Sequence, residues 1–393
     1  MKWHPVQPAW DNTPPEVWHH WQARRLRHYL STRVLPHSAH YRRLFAEHDF
    51  QAEDIRTLDD WSFAPMTSKS DLTVPANRQR EFVLIPDAAK LKRSPETILR
   101  ALFKGPMAAK AHAEAEFRPV MLTSTTGRSS QPVPFLYTKH DLHNLETAGH
   151  RIMEAGASQP DFRHANLFPY APHLAFWQAH YAGLAFGTFM LSTGGGKTLG
   201  TEGNLNLIDR IQPDVIIGMP TFIYHLLLQA LESGRRMSNL KRLVLGGEKV
   251  ADGLRARLLE LARALGSEHV SVISTYGFTE AKMAFPECPV ADGKGGSGYH
   301  LSPDLGIVEL VDPKTGSPVA ENEGGEIVFT PLDARGTVVL RYRTGDIAEG
   351  GLSWDPCPHC GRRVPRLLGP ISRVSEVREL NLGKLKGTLV NFN

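Results

Sequence analysis

The run Thr123-Ser124-Thr125-Thr126-Gly127-Arg128 is small, hydroxylated and flexible, and it ends in a cation. It lies between an apolar lead-in, Pro119 to Leu122, and a β-prone run, Val133 to Thr138. Such a loop suits a polyphosphate: backbone N–H groups and hydroxyls wrap the oxygens, glycine permits close approach and a guanidinium offsets charge. By itself it also reads as an ordinary surface turn. Two later loops lift it above that, Tyr276-Gly277-Phe278-Thr279-Glu280 and Tyr342-Arg343-Thr344-Gly345-Asp346. Taken singly, the first could be a helix cap and the second a turn after a strand. In this order, the three point to ATP and a carboxylate.

The elements that must hold these loops follow from periodicity. Residues 1 to about 75 read as helical, with Trp18, Trp21, Leu26, Tyr29 and Leu30 recurring on one face. Residues 95–116 form a further amphipathic stretch (Ile98, Leu99, Leu102, Phe103), started by Ser94-Pro95-Glu96 and read as an inserted helix. From about 117 to 285, short apolar runs such as Val215-Ile216-Ile217 and Leu243-Val244-Leu245 alternate with helical patterns. That alternation predicts parallel α/β units with ligand loops at the carboxyl ends of strands. After residue 300 the runs Ile307–Val311, Glu326–Thr330 and Thr337–Tyr342 are joined by Gly, Pro and Asp turns, which predicts a smaller antiparallel β unit. The expected division is a helical region over 1–116, an α/β nucleotide- and acyl-binding core over 117–300, a β subdomain over 301–380 and a hinge-like end over 381–393.

With 393 residues, 41% hydrophobic and 22% charged, the chain has the composition of a globular protein with a large core. No apolar run approaches the roughly 20 residues that span a bilayer, and the N-terminus lacks an apolar signal core. A cytoplasmic protein without a membrane partner is the expectation. Arg24, Arg25, Arg27, Arg42 and Arg43 alternate with Leu and Tyr at helical spacing, so they read as a solvated helix face rather than a nucleic-acid surface. Gly194-Gly195-Gly196-Lys197-Thr198 approaches the end of a Walker loop, but the required first glycine falls at Leu191 and the motif is rejected.

In their order, the three loops resemble the nucleotide motifs of the adenylate-forming superfamily of acyl-CoA synthetases, and most closely its phenylacetate-CoA ligase branch. Pro65 to Leu72, Gly246-Gly247-Glu248 and Arg366 to Gly369 also look like that branch, whose likeness covers most of the chain and is weakest over 78–116. The resemblance implies a large α/β domain of the adenylate-forming kind with parallel sheets and a smaller antiparallel β subdomain. It implies activation of an aromatic acid by ATP and Mg²⁺ to an acyl-adenylate, then thioester formation with CoA. Carrier-protein transfer, amide formation or a non-catalytic nucleotide-binding scaffold are the alternatives.

By the same resemblance, Thr123 through Arg128 hold the phosphates, Thr279 touches the α-phosphate, Glu280 carries Mg²⁺ and Tyr276 stacks near adenine, followed by Gly277 and Phe278. Gly247 and Glu248 border the base, Asp346 accepts both ribose hydroxyls, and Arg373, then Arg366, are candidates for a further ribose or phosphate contact. Ser124 and Arg128 stand where the family usually carries Gly and Lys; arginine keeps the charge but changes its geometry. Tyr170 and Gly246 fall in the acyl site, with His173 in place of an expected Phe. A polar ring there suggests a hydroxylated, aminated or heteroaromatic acid, or else His173 makes a structural hydrogen bond.

Cys357-Pro358-His359-Cys360 is half of a metal knuckle, and a closed tetrahedral zinc site needs two more ligands. Cys288 is the only other cysteine. His300 matches a histidine in family members with such a site, so the implied zinc set is Cys288, His300, Cys357 and Cys360, with His359 as substitute. A redox dithiol is the alternative. Family members continue into a small domain bearing a catalytic lysine, which is expected to be absent here because the chain stops after a hinge-like Gly383 to Gly387. Homodimerisation is left open.

Overall fold

The computed structural model describes residues 8–73, 78–125, 132–290 and 295–374. Thr126, Gly127 and Arg128, like the hinge-like segment 381–393, lie outside the described residues. An antiparallel hairpin, β1 (Pro119–Ser124) and β2 (Pro134–Thr138), brackets the first loop. Next come β3 (Arg163–Asn166), β4 (Phe189–Ser192), β5 (Val215–Gly218), β6 (Arg242–Leu245), β7 (Ser271–Phe278) and β8 (Met283–Pro286). They form one sheet in the order β4-β3-β5-β6-β7-β8, parallel except for β8. Helices Leu174–Phe186, Gly195–Ile211, Pro220–Glu232 and Asp252–Ala264 make the crossovers. All four residues of β5 are buried, as a central strand covered on both faces requires. The chain leaves β3 for β4 on one side and returns to β5 on the other, so strand order reverses at β3, the place where open α/β sheets bind ligands.

The smaller unit begins with β9 (Tyr299–His300), β10 (Gly306–Val311), β11 (Gly325–Pro331) and β12 (Tyr342–Ala348). It is completed by β13 (Leu352–Ser353), β14 (Arg366–Leu367) and β15 (Ile371–Arg373). One antiparallel sheet runs β10-β11-β12-β15 and a shorter one β13-β14-β9. The run Thr337–Tyr342 departs from its expected form: it is irregular up to Arg341, and β12 starts at Tyr342. Its buried Val338, Val339 and Leu340 pack on the N-terminal helices, and Tyr41 Oη accepts the Leu340 N–H at 2.9 Å. Apolarity there serves an inter-segment core, not a strand face. Trp18, Trp21, Leu26, Tyr29 and Leu30 are buried together in that core, as their helical spacing predicts.

The stretch 95–116 is two helices, Pro95–Lys104 and Pro106–Phe117, broken at Gly105-Pro106. Gly105 adopts φ 85°, open to glycine, and Pro106 takes the first helical position, where its missing N–H costs nothing.

Candidate active site

The β7–β8 turn sets the first carboxylate. After β7, Thr279–Ala281 form one 3₁₀ turn and Lys282 adopts the left-handed conformation (φ 59°), which sends the chain back as β8. Glu280 therefore sits beyond the carboxyl end of β7, and its carboxylate accepts a hydrogen bond from Tyr342 Oη at 2.8 Å. Burial holds the Glu280 carboxyl above its ordinary pKa; the Tyr342 hydroxyl and the Lys69 charge act against this, and the Asp346 charge adds to it.

β12 supplies the second carboxylate. Tyr342 and Asp346 are four residues apart on one strand and share a face. Asp346 Oδ2 accepts from Tyr276 Oη at 2.9 Å, and Arg373 Nε, across the β12–β15 register, lies 3.0 Å from Oδ1. Tyr276, Glu280, Tyr342, Asp346 and Arg373 are thus one connected cluster, drawn from segments far apart in sequence. A buried carboxylate (Asp346), a half-buried one (Glu280), two tyrosines and a guanidinium can accept hydroxyls, hold a divalent cation and offset phosphate charge. Lys69 was missed from sequence; from the short helix Lys69–Thr73 its charge acts on Glu280 and favours the ionised carboxylate. Only its place in the Pro65–Leu72 run hinted at a role.

The remaining candidates divide. Gly246 is pressed against Thr275: a Cβ there would lie 2.5 Å from Thr275 Oγ1 and 3.4 Å from Phe168. Gly247, at φ 82°, has no such neighbour and presents bare backbone at the end of β6. Glu248 turns to the helix Pro220–Glu232, accepting from Thr221 N at 3.1 Å and Oγ1 at 2.8 Å. Tyr170 follows β3, is 57% exposed, and bonds Ser192 O at 3.0 Å. The absence of a side chain at Gly194 makes room for its ring, since a Cβ would come within 2.2 Å of it. Thr123 is fully buried with its hydroxyl on Tyr137 Oη at 3.2 Å, and Thr125 Oγ1 accepts from Val133 N at 3.0 Å. Both hydroxyls stabilise the hairpin. Arg366 is buried, its Nη1 on Ser297 O at 2.8 Å, its Nη2 on Asp355 O at 3.4 Å and its strand paired with His300, so its contacts lie on the His300 side rather than at Asp346.

His173 Nδ1 lies 3.0 Å from Ser124 O. Because a carbonyl only accepts, the nitrogen carries the proton. His173→Phe, which deletes this bond, is expected to weaken ATP binding by no more than about fivefold, the equivalent of about 1 kcal/mol. The ranking of acids should stay unchanged. Calorimetric titration checks this, and a changed ranking at constant ATP affinity would place the ring in the acyl wall instead.

Cys288, His300, Cys357 and Cys360 form a second cluster, their ligand atoms all within 4.8 Å of one another. Sγ of Cys288 and Cys357 are 3.8 Å apart, far beyond a disulfide's roughly 2.05 Å, and Cys360 Sγ is 3.3 Å from His300 Nε2. His300 Nδ1 donates to Pro286 O at 3.1 Å, which leaves Nε2 with its lone pair toward the thiols. His359 is exposed and outside the cluster.

Fold and site set Glu280 beyond the carboxyl end of a strand in a mainly parallel sheet, beside the antiparallel unit that carries Tyr342 and Asp346. The family model for AMP-binding enzyme matches residues 88–331. The chain therefore belongs to the AMP-binding enzyme family. Within it, the protein is an AMP-forming ligase of the phenylacetate-CoA ligase type. It is 27% identical to the phenylacetate-coenzyme A ligase of Thermus thermophilus over 93% of this chain and 72% of that protein. It is 26% identical to the Escherichia coli enzyme of that name, over 90% and 71%. Among solved structures, 2-hydroxyisobutyryl-CoA ligase in complex with 2-HIB-AMP and CoA superposes with a TM-score of 0.74 at 21% identity, over 94% of this chain and 72% of that one.

Proposed function

We propose that the protein activates an aromatic carboxylic acid with ATP and passes the acyl group to the thiol of CoA. The observation that carries this reading is the joining of Glu280 to Asp346 through Tyr342, Tyr276 and β12. An oxygen of the acid attacks the α-phosphorus, the bond to the pyrophosphate oxygen breaks, and an acyl-adenylate results. The thiol sulfur then attacks the acyl carbon, its proton is lost, and AMP leaves. Asp346 accepts both ribose hydroxyls, exchanging the Tyr276 hydroxyl for the sugar and freeing that ring to lie along adenine. Thr279 positions the α-phosphate, and Arg373 and Lys69 offset its charge. Glu280 would hold Mg²⁺, which supplies further charge compensation at the phosphates. The exposed Tyr170 ring beside Gly194 receives the aryl group.

We assign the second cluster to structural zinc. Tetrahedral bonds of about 2.3 Å to sulfur and 2.0–2.1 Å to nitrogen set neighbouring ligand atoms between 3 and 4 Å apart. The 3.8 and 3.3 Å separations fit this, as does the unprotonated His300 Nε2 turned toward the thiols.

Thermal shift tests the main reading. ATP with Mg²⁺ is expected to raise the melting temperature, and aromatic acids to add a further shift only when ATP is present. If short aliphatic acids act and aromatic ones do not, the substrate class is wrong; if ATP gives no shift, the nucleotide site is.

A further inference from the structure

The helix Pro95–Lys104 is turned inside out. None of its residues is buried, and Ile98, Leu99, Leu102 and Phe103, at helical positions i, i+1, i+4 and i+5, form the arc that faces solvent. The polar side faces the protein: Glu96 pairs with Arg33 at 2.8 Å and lies 3.9 Å from Arg100. The following helix behaves in the ordinary way, burying Ala109, Ala113 and Phe117. Exposure peaks at the corner between the two, reaching 76% at Leu102, 84% at Phe103 and 87% at Met107. A contiguous apolar patch on a protruding corner marks an interaction surface.

Charge selects the occupant. From residue 91 to 116 the ionisable side chains are Lys92, Arg93, Arg100, Lys104, Lys110 and His112 against Glu96, Glu114 and Glu116. Glu96 is turned inward onto Arg33, Glu116 pairs with Arg335, and Glu114 offsets Lys110 at 3.8 Å, which leaves Lys92, Arg93 and Lys104 as the cationic excess. Lys92, Arg93, Lys104 and Lys110 are exposed around the apolar corner. An isologous contact with a second copy would set these cations against their equivalents, at an electrostatic cost. An anionic lipid surface matches both features, taking the apolar corner into the headgroup–acyl boundary while the lysines meet the phosphates.

We infer that this corner docks the protein on anionic bilayers as an interfacial anchor. It lies on the membrane and does not span it; among the described residues no helix is long and apolar enough to cross. The sequence expectation of no membrane partner rested on spanning runs and could not tell which side of this helix faces out.

Vesicle co-sedimentation of the whole chain tests the inference. Phosphatidylcholine vesicles containing phosphatidylglycerol should bind the protein, and pure phosphatidylcholine should bind it weakly. Raising salt to about 0.5 M should release it, because the Debye length falls to a few ångströms. The variant L102Q/F103Q/M107Q should bind about tenfold less, as loss of inserted apolar area requires. Its melting temperature should be unchanged, since it removes no buried side chain. Absence of binding to anionic vesicles, or equal binding by the variant, overturns the inference. So does a concentration-dependent dimer in light scattering that the same variant abolishes, which would give the face to a second copy.

Discussion

Glu280→Gln is expected to lower ATP-dependent pyrophosphate release by about 10²- to 10³-fold, the range for losing one electrostatic group aimed at a charged transition state. The substitution is nearly isosteric, and a glutamine oxygen can still accept the Tyr342 hydroxyl that Glu280 accepts at 2.8 Å. What it removes is the negative charge. Tyr342→Phe removes the hydrogen bond and keeps the charge, so it should cost only about fivefold. The two variants therefore separate cation holding from positioning. Stability should move the other way. Burial holds the Glu280 carboxyl above its ordinary pKa, so at neutral pH folding disfavours its ionised form. The neutral amide relieves that penalty, and the melting temperature should hold or rise. Rates within threefold of the parent would show that the charge at Glu280 is not used.

Sequence spacing makes some of this site visible and hides the rest for identifiable reasons. Tyr276 to Glu280 and Tyr342 to Asp346 are local runs, so each can be found without knowing how β7 and β12 meet. The charge of Lys69 acts on Glu280 only because the fold brings two distant segments together, and no spacing encodes that. Thr123 looks like a loop hydroxyl, but period-two alternation along β1 turns it inward onto Tyr137. Arg366 looks like a basic residue free for phosphate until β14 pairs it with His300. The run from Val338 to Leu340 is apolar because it meets Tyr41 and the N-terminal helices, and a strand face produces the same pattern. The 3.6-residue period of Ile98, Leu99, Leu102 and Phe103 fixes a stripe on a helix but not the direction the stripe faces.

Chelation should produce the largest change in stability. Cys288 follows β8, His300 lies on β9, and Cys357 and Cys360 lie in the loop between β13 and β14, with Gly361 at φ 73° closing the knuckle. The β13-β14-β9 sheet has only two residues per strand, too little to stand on its own hydrogen bonds. A bound metal would tie all four segments at one point. A metal at a thousand times its dissociation constant adds about 4 kcal/mol to the folded state. Unfolding entropy of about 2.1 cal/mol/K per residue over 393 residues is about 0.8 kcal/mol/K. Removal should then lower the melting temperature by about 5 °C. Zinc should restore it and Mg²⁺ should not. Cys357→Ser/Cys360→Ser should melt at the lower temperature and ignore chelator, which distinguishes loss of metal from any other action of the reagent. Elemental analysis showing no zinc in unchelated protein would remove the basis for the assignment. Because Cys288 lies two residues beyond β8, whose other end begins at the Glu280 turn, metal loss should also slow ATP-dependent turnover. An unchanged rate in metal-free protein would confine the cluster to stability.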